Sequence, residues 1–214
     1  MAFKPILFNI EMVQAILDGR KTQTRRIVKG LDGLNVYHAE PTFEDAYDTP
    51  CSWDFFYGWS DNGAMFDATK PVKAPCSAGD LLWVRETWDN IPASPGGHFR
   101  MGGRYYYKAD GDIRPPGWQG NWHPSIHMPK EAARIFLFVR DVRIERLWDM
   151  DEEAAISEGF EDSPAGTDSP LERFSTLWDK TIKRDDLRKY GYHANPWVWV
   201  IKFSRCEKPE GWCT

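Results

Sequence analysis

Apolar and polar residues follow each other along the chain in patterns that predict both helices and strands. Asn9 is a suitable N-cap for a first helix, and Gly19 is a suitable residue to end it. Between them, Ile10, Val13 and Leu17 fall on one helical face, which we expect to pack on the core. The following residues, KTQTRRIV, are typical of a strand that is entered from a turn.

Three further segments predict strands. The segment ARIFLFVRDVRIERL, residues 133–147, carries apolar residues on both faces, which is typical of a central, buried strand. Arg140 and Asp141 interrupt its alternation, and we expect a bend or a bulge there. WVWVIKF, residues 197–203, predicts a second buried strand, and AGDLLWVRETW, residues 78–88, begins with a turn and continues as a strand.

Two helices are predicted between the strand at residues 133–147 and the strand at residues 197–203. For the first, Asp149 is the expected N-cap and Gly159 the expected exit. The second begins with a capping box, Ser169 and Glu172, with Pro170 at the first helical position. Its apolar face consists of Leu171, Phe174 and Trp178.

These elements indicate an α+β domain built around a curved sheet or a small barrel. With 214 residues, the chain is long enough for one domain with a sizeable core and short for two. Residues 30–75 and 89–121 lack periodicity and are longer than ordinary loops, so we interpret them as loop-rich insertions with short strands. The prediction is a single domain, residues 1–214, with two long insertions.

Composition and charge restrict the class of protein. Hydrophobic content of 42% and charged content of 28% are typical of a soluble globular protein. There is no apolar run approaching the length of a membrane span and no signal-peptide pattern, so we predict a cytoplasmic protein without membrane contact. The net charge of −5 argues against bulk attraction to nucleic acid, which would need a local basic patch.

The cysteines and histidines do not indicate a metal site. The four cysteines form no C-x-x-C pair, and we expect reduced thiols. His123 and His127 are four residues apart, but Pro124 and Pro129 argue against the helix that such a pair of ligands needs. We therefore predict neither a metal nor an organic cofactor. The cysteines are Cys51, Cys76, Cys206 and Cys213.

The segment GRKTQTRR, residues 19–26, concentrates positive charge without a carboxylate. It could be a solvated basic face, a phosphate-binding patch or an active site in which a lysine loses its proton. A neutral Lys21 could deprotonate the Thr24 hydroxyl, since neighbouring cations and burial lower a lysine pKa from its usual value of about 10.4. In a regular strand the two side chains point to opposite faces, so this hypothesis requires Lys21 to lie in the turn after Gly19.

Two carboxylates are candidate partners. Glu158 falls in the last turn of its predicted helix, where the helix dipole disfavours negative charge. It is therefore either an exposed glutamate or one that a partner such as a lysine holds in place. Glu86, between Trp83 and Trp88, would either pair with an arginine of the basic segment or line a pocket.

Several segments together resemble the ASCH-domain proteins, in particular their longer phage- and prophage-associated branch. They are ILDGRKTQTRRIV, GDLLWVRETW, WHPSIHMPKEAARIFLFVRDVRIERL, DEEAAISEGF and NPWVWVIKF, which cover roughly residues 4–29, 76–88, 122–160 and 170–205. The resemblance implies a PUA-like fold, a small β-barrel flanked by helices. The two insertions lie outside it.

The resemblance also implies an activity. Family members that hydrolyse N4-acetylcytidine carry a lysine and a threonine in a G-x-K-T-x-T-x-R segment and a glutamate in a later helix. Lys21, Thr24 and Glu158 match these positions, which implies hydrolysis of an amide C–N bond in N4-acylated cytosine nucleosides. The residues expected to bind substrate are Arg26, which would steady the oxyanion, together with Arg25, Glu86 and Trp88.

Two other functions remain open. PUA-like domains commonly bind RNA and some ASCH proteins are ribonucleases, so the basic segment could contact the phosphates of RNA or single-stranded nucleic acid. A phage accessory protein that binds a modified nucleotide or a host protein without chemistry is the third hypothesis. It predicts that Thr24→Ser and Lys21→Arg are tolerated.

Overall fold

A computed structural model of the protein describes residues 1–42, 52–61, 64–91, 104–161 and 166–212. Ten strands and four α-helices lie in these ranges, which confirms the α+β class. No closed barrel is detected in this part of the chain. In chain order the elements are β1 (Phe3–Leu7), α1 (Ile10–Leu17), β2 (Gln23–Ile27), β3 (Val36–Thr42), β4 (Ser52–Asp61), β5 (Ala64–Lys73), β6 (Leu81–Arg85), β7 (Trp88–Ile91), β8 (Arg104–Tyr107), β9 (Phe136–Arg146), α2 (Glu152–Ser157), α3 (Pro170–Thr181), α4 (Leu187–Tyr190) and β10 (Trp197–Cys206).

The chain divides into two compact units, each assembled from separate stretches. The first unit comprises Met1–Lys21, Asp80–Phe138 and Ser204–Thr214, and the second comprises Thr22–Gly79 and Val139–Phe203. Strands β9 and β10 contribute residues to both units. The expectation of one domain with two insertions stays a prediction. None of the described helices is long and apolar enough to cross a membrane.

In the first unit, a parallel pair of strands, β1 and β6, accompanies helix α1. β6 also pairs antiparallel with the beginning of β9. The predicted cap of α1 is confirmed, because the Asn9 side chain accepts a hydrogen bond from the Met12 N–H at 2.8 Å. Gly19 follows the helix at φ 78°, a conformation that favours glycine. The fully buried residues are Val13, Ala15 and Ile16, so the buried face is rotated from the predicted one.

The first unit also contains the predicted insertion at residues 89–121. Its described part includes β8, which pairs antiparallel with β7, so that Trp88 lies opposite Tyr107. Residues 92–103 lie outside the described ranges. A hydrophobic cluster nearby contains Met128, Ala132, Ala133, Phe136 and Trp212.

In the second unit, β10 is the central strand. It pairs antiparallel with β2, which places Ile201 opposite Thr24 and Trp199 opposite Arg26. β10 is also hydrogen-bonded to β9. β9 continues without a break through Arg140 and Asp141, which are both exposed, so the side of the strand that is buried changes there.

The second unit also holds an antiparallel meander, β3-β4-β5, in the predicted insertion at residues 30–75. We expected loops and short strands, whereas β4 and β5 are ten residues long. Two aromatic residues of β4 pack edge to face against β10. Phe55 contacts Trp197 with ring centroids 5.9 Å apart, and Trp53 contacts Trp199 at 6.3 Å.

The helices of the second unit confirm one predicted cap and correct another. Ser169 and Glu172 form the predicted capping box at the start of α3. The expectation for Asp149 is wrong, because Asp151 caps α2 by accepting from the Ala154 N–H at 2.8 Å. The Asp149 carboxylate instead accepts from the Arg146 N–H at 2.9 Å, in a 3-10 turn.

A side-chain hydrogen bond ties the loop after β2 to α4. The Tyr190 hydroxyl donates to Asp32 Oδ1, and this bond, followed by burial, raises the pKa of Tyr190 to about 12. Because the folded pKa lies above the ordinary value of about 10, the stabilisation is present below about pH 10 and is lost as the pH rises through about 12. At pH 11 we expect about a tenth of Tyr190 to be ionised, against about nine tenths of an ordinary tyrosine.

Tyrosine ¹³Cζ NMR between pH 9 and pH 11 measures this ionisation, with the Tyr190 resonance assigned from the Tyr190→Phe spectrum. Asp32→Asn keeps an acceptor but removes the charge, so the pKa of Tyr190 should fall toward its ordinary value. Half-ionisation of Tyr190 near pH 10 in the unmodified protein would contradict the prediction.

Candidate functional site

Lys21 lies where the hypothesis of a catalytic lysine requires. It follows Gly19 in the turn before β2, whereas Thr24 is the second residue of that strand. The Lys21 side chain is 3% exposed, and its Nζ lies 5.5 Å from the centroid of the Phe8 ring. Its N–H donates to the Ala15 carbonyl at 3.0 Å, which fixes the turn against the last part of α1. Burial beside an aromatic ring disfavours full solvation of an ammonium group.

Thr24 and Arg26 form a hydrogen-bonded pair on one face of β2. They are two residues apart on the strand, so their side chains project to the same side. Arg26 Nη1 donates to Thr24 Oγ1 at 2.8 Å and to the Arg25 carbonyl at 2.9 Å, and Thr24 is only 2% exposed. Since the hydroxyl oxygen accepts from a cation, its own proton is available for another acceptor, and a nearby positive charge stabilises an alkoxide.

Arg25 points to the other face of β2 and pairs with two carboxylates. Its Nη1 donates to Glu158 Oε1 at 3.1 Å, its Nε donates to Glu145 Oε1 at 2.9 Å, and its Nη2 donates to the same Glu145 oxygen. Arg25 and Glu158 are each 3% exposed. Glu158 is the C-cap residue of α2. Because it is buried and paired with Arg25, its interpretation as an exposed glutamate is wrong.

We refer to Thr24, Arg25, Arg26, Glu145 and Glu158 as the β2 polar cluster. Burial lowers the pKa of the Arg26 guanidinium, and the nearby charge of Glu158 opposes that shift. An arginine nevertheless remains protonated in a protein, so two guanidinium groups balance two carboxylates in this cluster. Glu145 was missed by the sequence analysis because it lies on β9, far from β2 in the chain.

The basic segment is not a solvated face. Lys21 and Arg25 are buried, and Arg20 forms a salt bridge with Asp18 at 2.9 Å. A phosphate-contacting surface needs cations that reach solvent, so the burial of these two residues weighs against that interpretation. The concentration of charge in GRKTQTRR instead supplies buried groups.

Glu86, a predicted substrate-binding residue, belongs to an ion pair of the first unit. It is 1% exposed and accepts from Arg134 Nε at 2.9 Å and from Arg134 Nη2 at 3.0 Å. The arginine of the sequence hypothesis is thus Arg134 rather than one of the basic segment. Burial raises the pKa of Glu86, and the hydrogen bond from Arg134 opposes this shift. Arg134 also pairs with Asp110 at 2.6 Å, so the arrangement is that of a structural ion pair.

Trp88, the predicted stacking residue, packs against other rings of the first unit. Its ring centroid lies 4.9 Å from that of His123 and 5.8 Å from that of Tyr105. Its Nε1 is buried and has no hydrogen-bond partner among the residues described. His123 and His127 are both exposed. Over the described ranges, no group of three or more His, Cys, Asp or Glu side chains could hold a metal ion.

The predicted thiols can be followed at two of four positions. Cys76 and Cys206 are reduced cysteines, the first buried and the second half-buried. Cys51 and Cys213 lie outside the described ranges.

Comparisons with known proteins identify no relative. No model of a protein family matches the chain, and neither a curated protein nor a solved structure matches it significantly. The fold and the site define an α+β protein whose second strand carries a buried threonine on one face and a buried arginine, paired with two carboxylates, on the other.

Proposed function

We propose that the protein is an ASCH-domain amidohydrolase that removes the acyl group from N4-acylated cytosine nucleosides. The products would be the nucleoside and a carboxylic acid, and the reaction would cleave an amide C–N bond without a cofactor. The proposal includes the PUA-like barrel and a cytoplasmic location that the sequence predicts. It is supported by the sequence resemblance and by the β2 polar cluster.

One observation carries the proposal, the hydrogen bond from Arg26 Nη1 to Thr24 Oγ1 at 2.8 Å. A threonine hydroxyl is a weak nucleophile unless a base takes its proton. The guanidinium occupies one acceptor site of this oxygen, leaves its proton to a base, and offsets the negative charge that develops when the proton departs. Burial of Thr24 strengthens this electrostatic effect because water screens it less.

In the proposed mechanism Lys21 is the base. It precedes Thr24 by three residues, so the chain alone keeps their Cα atoms within about 11 Å of each other. Neutral Lys21 takes the Thr24 proton, and Thr24 Oγ1 attacks the amide carbonyl carbon. The tetrahedral intermediate collapses, the C–N bond breaks, and the Lys21 ammonium returns the proton to the departing N4 amine. Water then hydrolyses the threonine ester and releases the acid.

Glu158 and Arg25 take positioning roles in this proposal. Glu158 would orient Lys21 and balance its charge in the protonated state. Arg25 holds Glu158 through the 3.1 Å hydrogen bond and is therefore a positioning residue rather than a substrate ligand. Trp88 and Glu86 take no role in this mechanism, because Trp88 packs against His123 and Tyr105 and Glu86 is engaged by Arg134 in the first unit.

The direct test is incubation of the purified protein with N4-acetylcytidine, followed by chromatography of the nucleosides. We expect cytidine and acetate in equal amounts. N4-methylcytidine is the matched control, because it has no amide carbonyl and should stay intact. N4-acetyl-2′-deoxycytidine and longer N4-acyl chains define the sugar and acyl preference. If no acylated cytosine nucleoside is hydrolysed, the proposed activity is wrong.

Salt dependence separates this activity from the rival function, an RNA- or DNA-binding module or ribonuclease. Affinity that comes from phosphate contacts falls steeply as salt is raised, whereas hydrolysis of an uncharged nucleoside should be nearly indifferent to it. We expect little change in cytidine release and only weak oligonucleotide binding in a fluorescence anisotropy assay. Tight, strongly salt-dependent binding without hydrolysis would favour the rival.

A further inference from the structure

A cavity of about 220 Å³ lies in the second unit, apart from the residues of the β2 polar cluster. Its walls come from the loop after β2, the end of β9, helix α4 and the beginning of β10. The walls combine apolar side chains with cations. The lining residues include Val28, Leu34, Asp32, Arg146, Lys189 and Trp197.

Arg146 presents hydrogen-bond donors that the described residues do not use. Its Nη1 donates to the Asn195 carbonyl at 3.1 Å and its Nη2 to the Val36 carbonyl at 2.8 Å. A guanidinium group has five N–H donors, so three are left without an acceptor in the described ranges. No described carboxylate forms a salt bridge with Arg146 either, although its charge is half-buried. A cation in that situation favours an anionic partner.

Trp197 provides both a flat surface and a further donor. The Arg146 guanidinium carbon lies 4.3 Å from the centroid of the Trp197 ring. The Trp197 Nε1–H is buried and has no acceptor within the described residues. A buried donor without an acceptor is destabilising, and a ligand oxygen that accepted from it would remove this cost.

The neighbouring groups hold this arrangement in place. Asn195 adopts the left-handed conformation (φ 48°), and its Oδ1 accepts from the Trp148 N–H at 2.8 Å. Asp32 already accepts from the Tyr190 hydroxyl, as described above. Lys189 is exposed, so two cations, Arg146 and Lys189, line the cavity together with the engaged carboxylate of Asp32, and the charge of Asp149 also acts on Arg146.

The size of the cavity suits a ligand group of about one ring. A cavity of about 150 Å³ is known to hold benzene, so about 220 Å³ accommodates a six-membered ring with one small substituent. The apolar walls formed by Val28 and Leu34 suit the faces of such a ring.

We propose that this cavity is a binding site for a small planar anion, a single aromatic or pyrimidine ring that carries a carboxylate. The carboxylate would accept from the unused Arg146 donors, and the ring would pack between the apolar walls and Trp197. The proposal does not depend on the amidohydrolase activity, since it uses none of the residues of the β2 polar cluster.

NMR of the tryptophan indole N–H groups tests the site with defined probes. The Trp197 signal is assigned from Trp197→Phe, and the ¹⁵N-labelled protein is titrated with benzoate and with orotate. We expect a saturable shift of the Trp197 signal with at least one of the two, and the tighter probe identifies the kind of ring. Benzamide has the ring without the charge and acetate the charge without the ring, so each should bind at least about tenfold more weakly.

Variants at exposed charged residues test the binding site without disturbing the fold. Lys189→Glu should weaken binding of the tighter probe by about tenfold, and Asp32→Asn should strengthen it by several-fold. Lys183→Glu is the matched control, because Lys183 is also exposed but does not line the cavity, and binding should be unchanged. Arg146→Gln should abolish binding in a protein whose other indole signals are unperturbed. Either the lack of a saturable Trp197 shift with both probes or equal effects of the two lysine variants would overturn the proposal.

Discussion

Thr24→Ala is expected to reduce kcat/KM for N4-acetylcytidine by at least about a thousandfold, because it removes the attacking oxygen itself. Lys21→Ala should cause a comparable loss, since without the base the hydroxyl keeps its proton. Residues that act as one unit are not additive, so the double variant should be no less active than either single variant. Steady-state kinetics with chromatographic detection of cytidine measures all three.

Conservative variants distinguish this chemistry from ligand binding alone. Thr24→Ser keeps the hydroxyl and should retain measurable turnover, whereas Thr24→Val keeps the shape and should retain none. Lys21→Arg should be inactive because a guanidinium does not deprotonate near neutral pH. A protein that only binds its ligand would tolerate this change. Circular dichroism and thermal unfolding confirm that each variant is folded. Full activity of both Thr24→Ala and Lys21→Ala would rule out the proposed triad.

Arg25→Met should lower the free energy of unfolding by about 3–5 kcal/mol, one of the largest stability effects of a single substitution in this chain. Arg25 is buried between Glu145 and Glu158, and its loss removes the cation that the two carboxylates share, although Glu145 keeps its ion pair with Arg143. Methionine is similar to the aliphatic part of arginine, so the effect reports mainly on charge. Urea unfolding monitored by tryptophan fluorescence gives the change.

Arg205→Met is the matched control for this measurement. Arg205 lies on β10 but is exposed, and we expect its replacement to change the free energy of unfolding by no more than about 0.5 kcal/mol. Glu158→Gln separates structure from catalysis, because it keeps an acceptor for Arg25 while removing the carboxylate charge. It should therefore cost less stability than Arg25→Met and still impair turnover. Equal stabilities of Arg25→Met and Arg205→Met would contradict the importance of the buried pairs.

Local signals in the sequence predicted the helix ends whose capping residues are close to them in the chain. Asn9 and Ser169 sit beside the backbone N–H groups that they cap, so residue type and spacing were sufficient. The choice between Asp149 and Asp151 was not determined in the same way. Both are acceptable caps two residues apart, and the 3-10 turn that engages Asp149 becomes apparent only with the end of β9 in place.

The partners of the buried charges could not be predicted, because they are distant in the chain. Arg25 is separated from Glu145 by 120 residues and from Glu158 by 133, and Glu86 is separated from Arg134 by 48. On β9, Glu145 shares a face with Arg143, a charged pattern that is usual for a solvent-facing side. Pairing between such groups follows from how the strands come together, which a local pattern does not encode.

The meander β3-β4-β5 escaped prediction for a related reason. Strand β3 contains Pro41 and has only one buried residue, Val36, so it lacks the alternation of apolar and polar residues that identifies a half-buried strand. In β4, Phe55 is fully buried while its described neighbours in the strand are only half-buried. One buried residue among the seven described side chains of β4 gives no period that a sequence pattern can detect.

The contact of the meander with β10 restricts how the meander could have been gained or lost in evolution. Phe55 and Trp53 cover Trp197 and Trp199, two large rings at alternate positions of one strand. In an ancestor without the meander, both indoles would have been more exposed to water. Such an exposed apolar surface favours self-association. The segment and the two tryptophans should therefore have been gained or lost together, and a compact homologue without residues 36–73 should carry smaller or polar side chains at both positions.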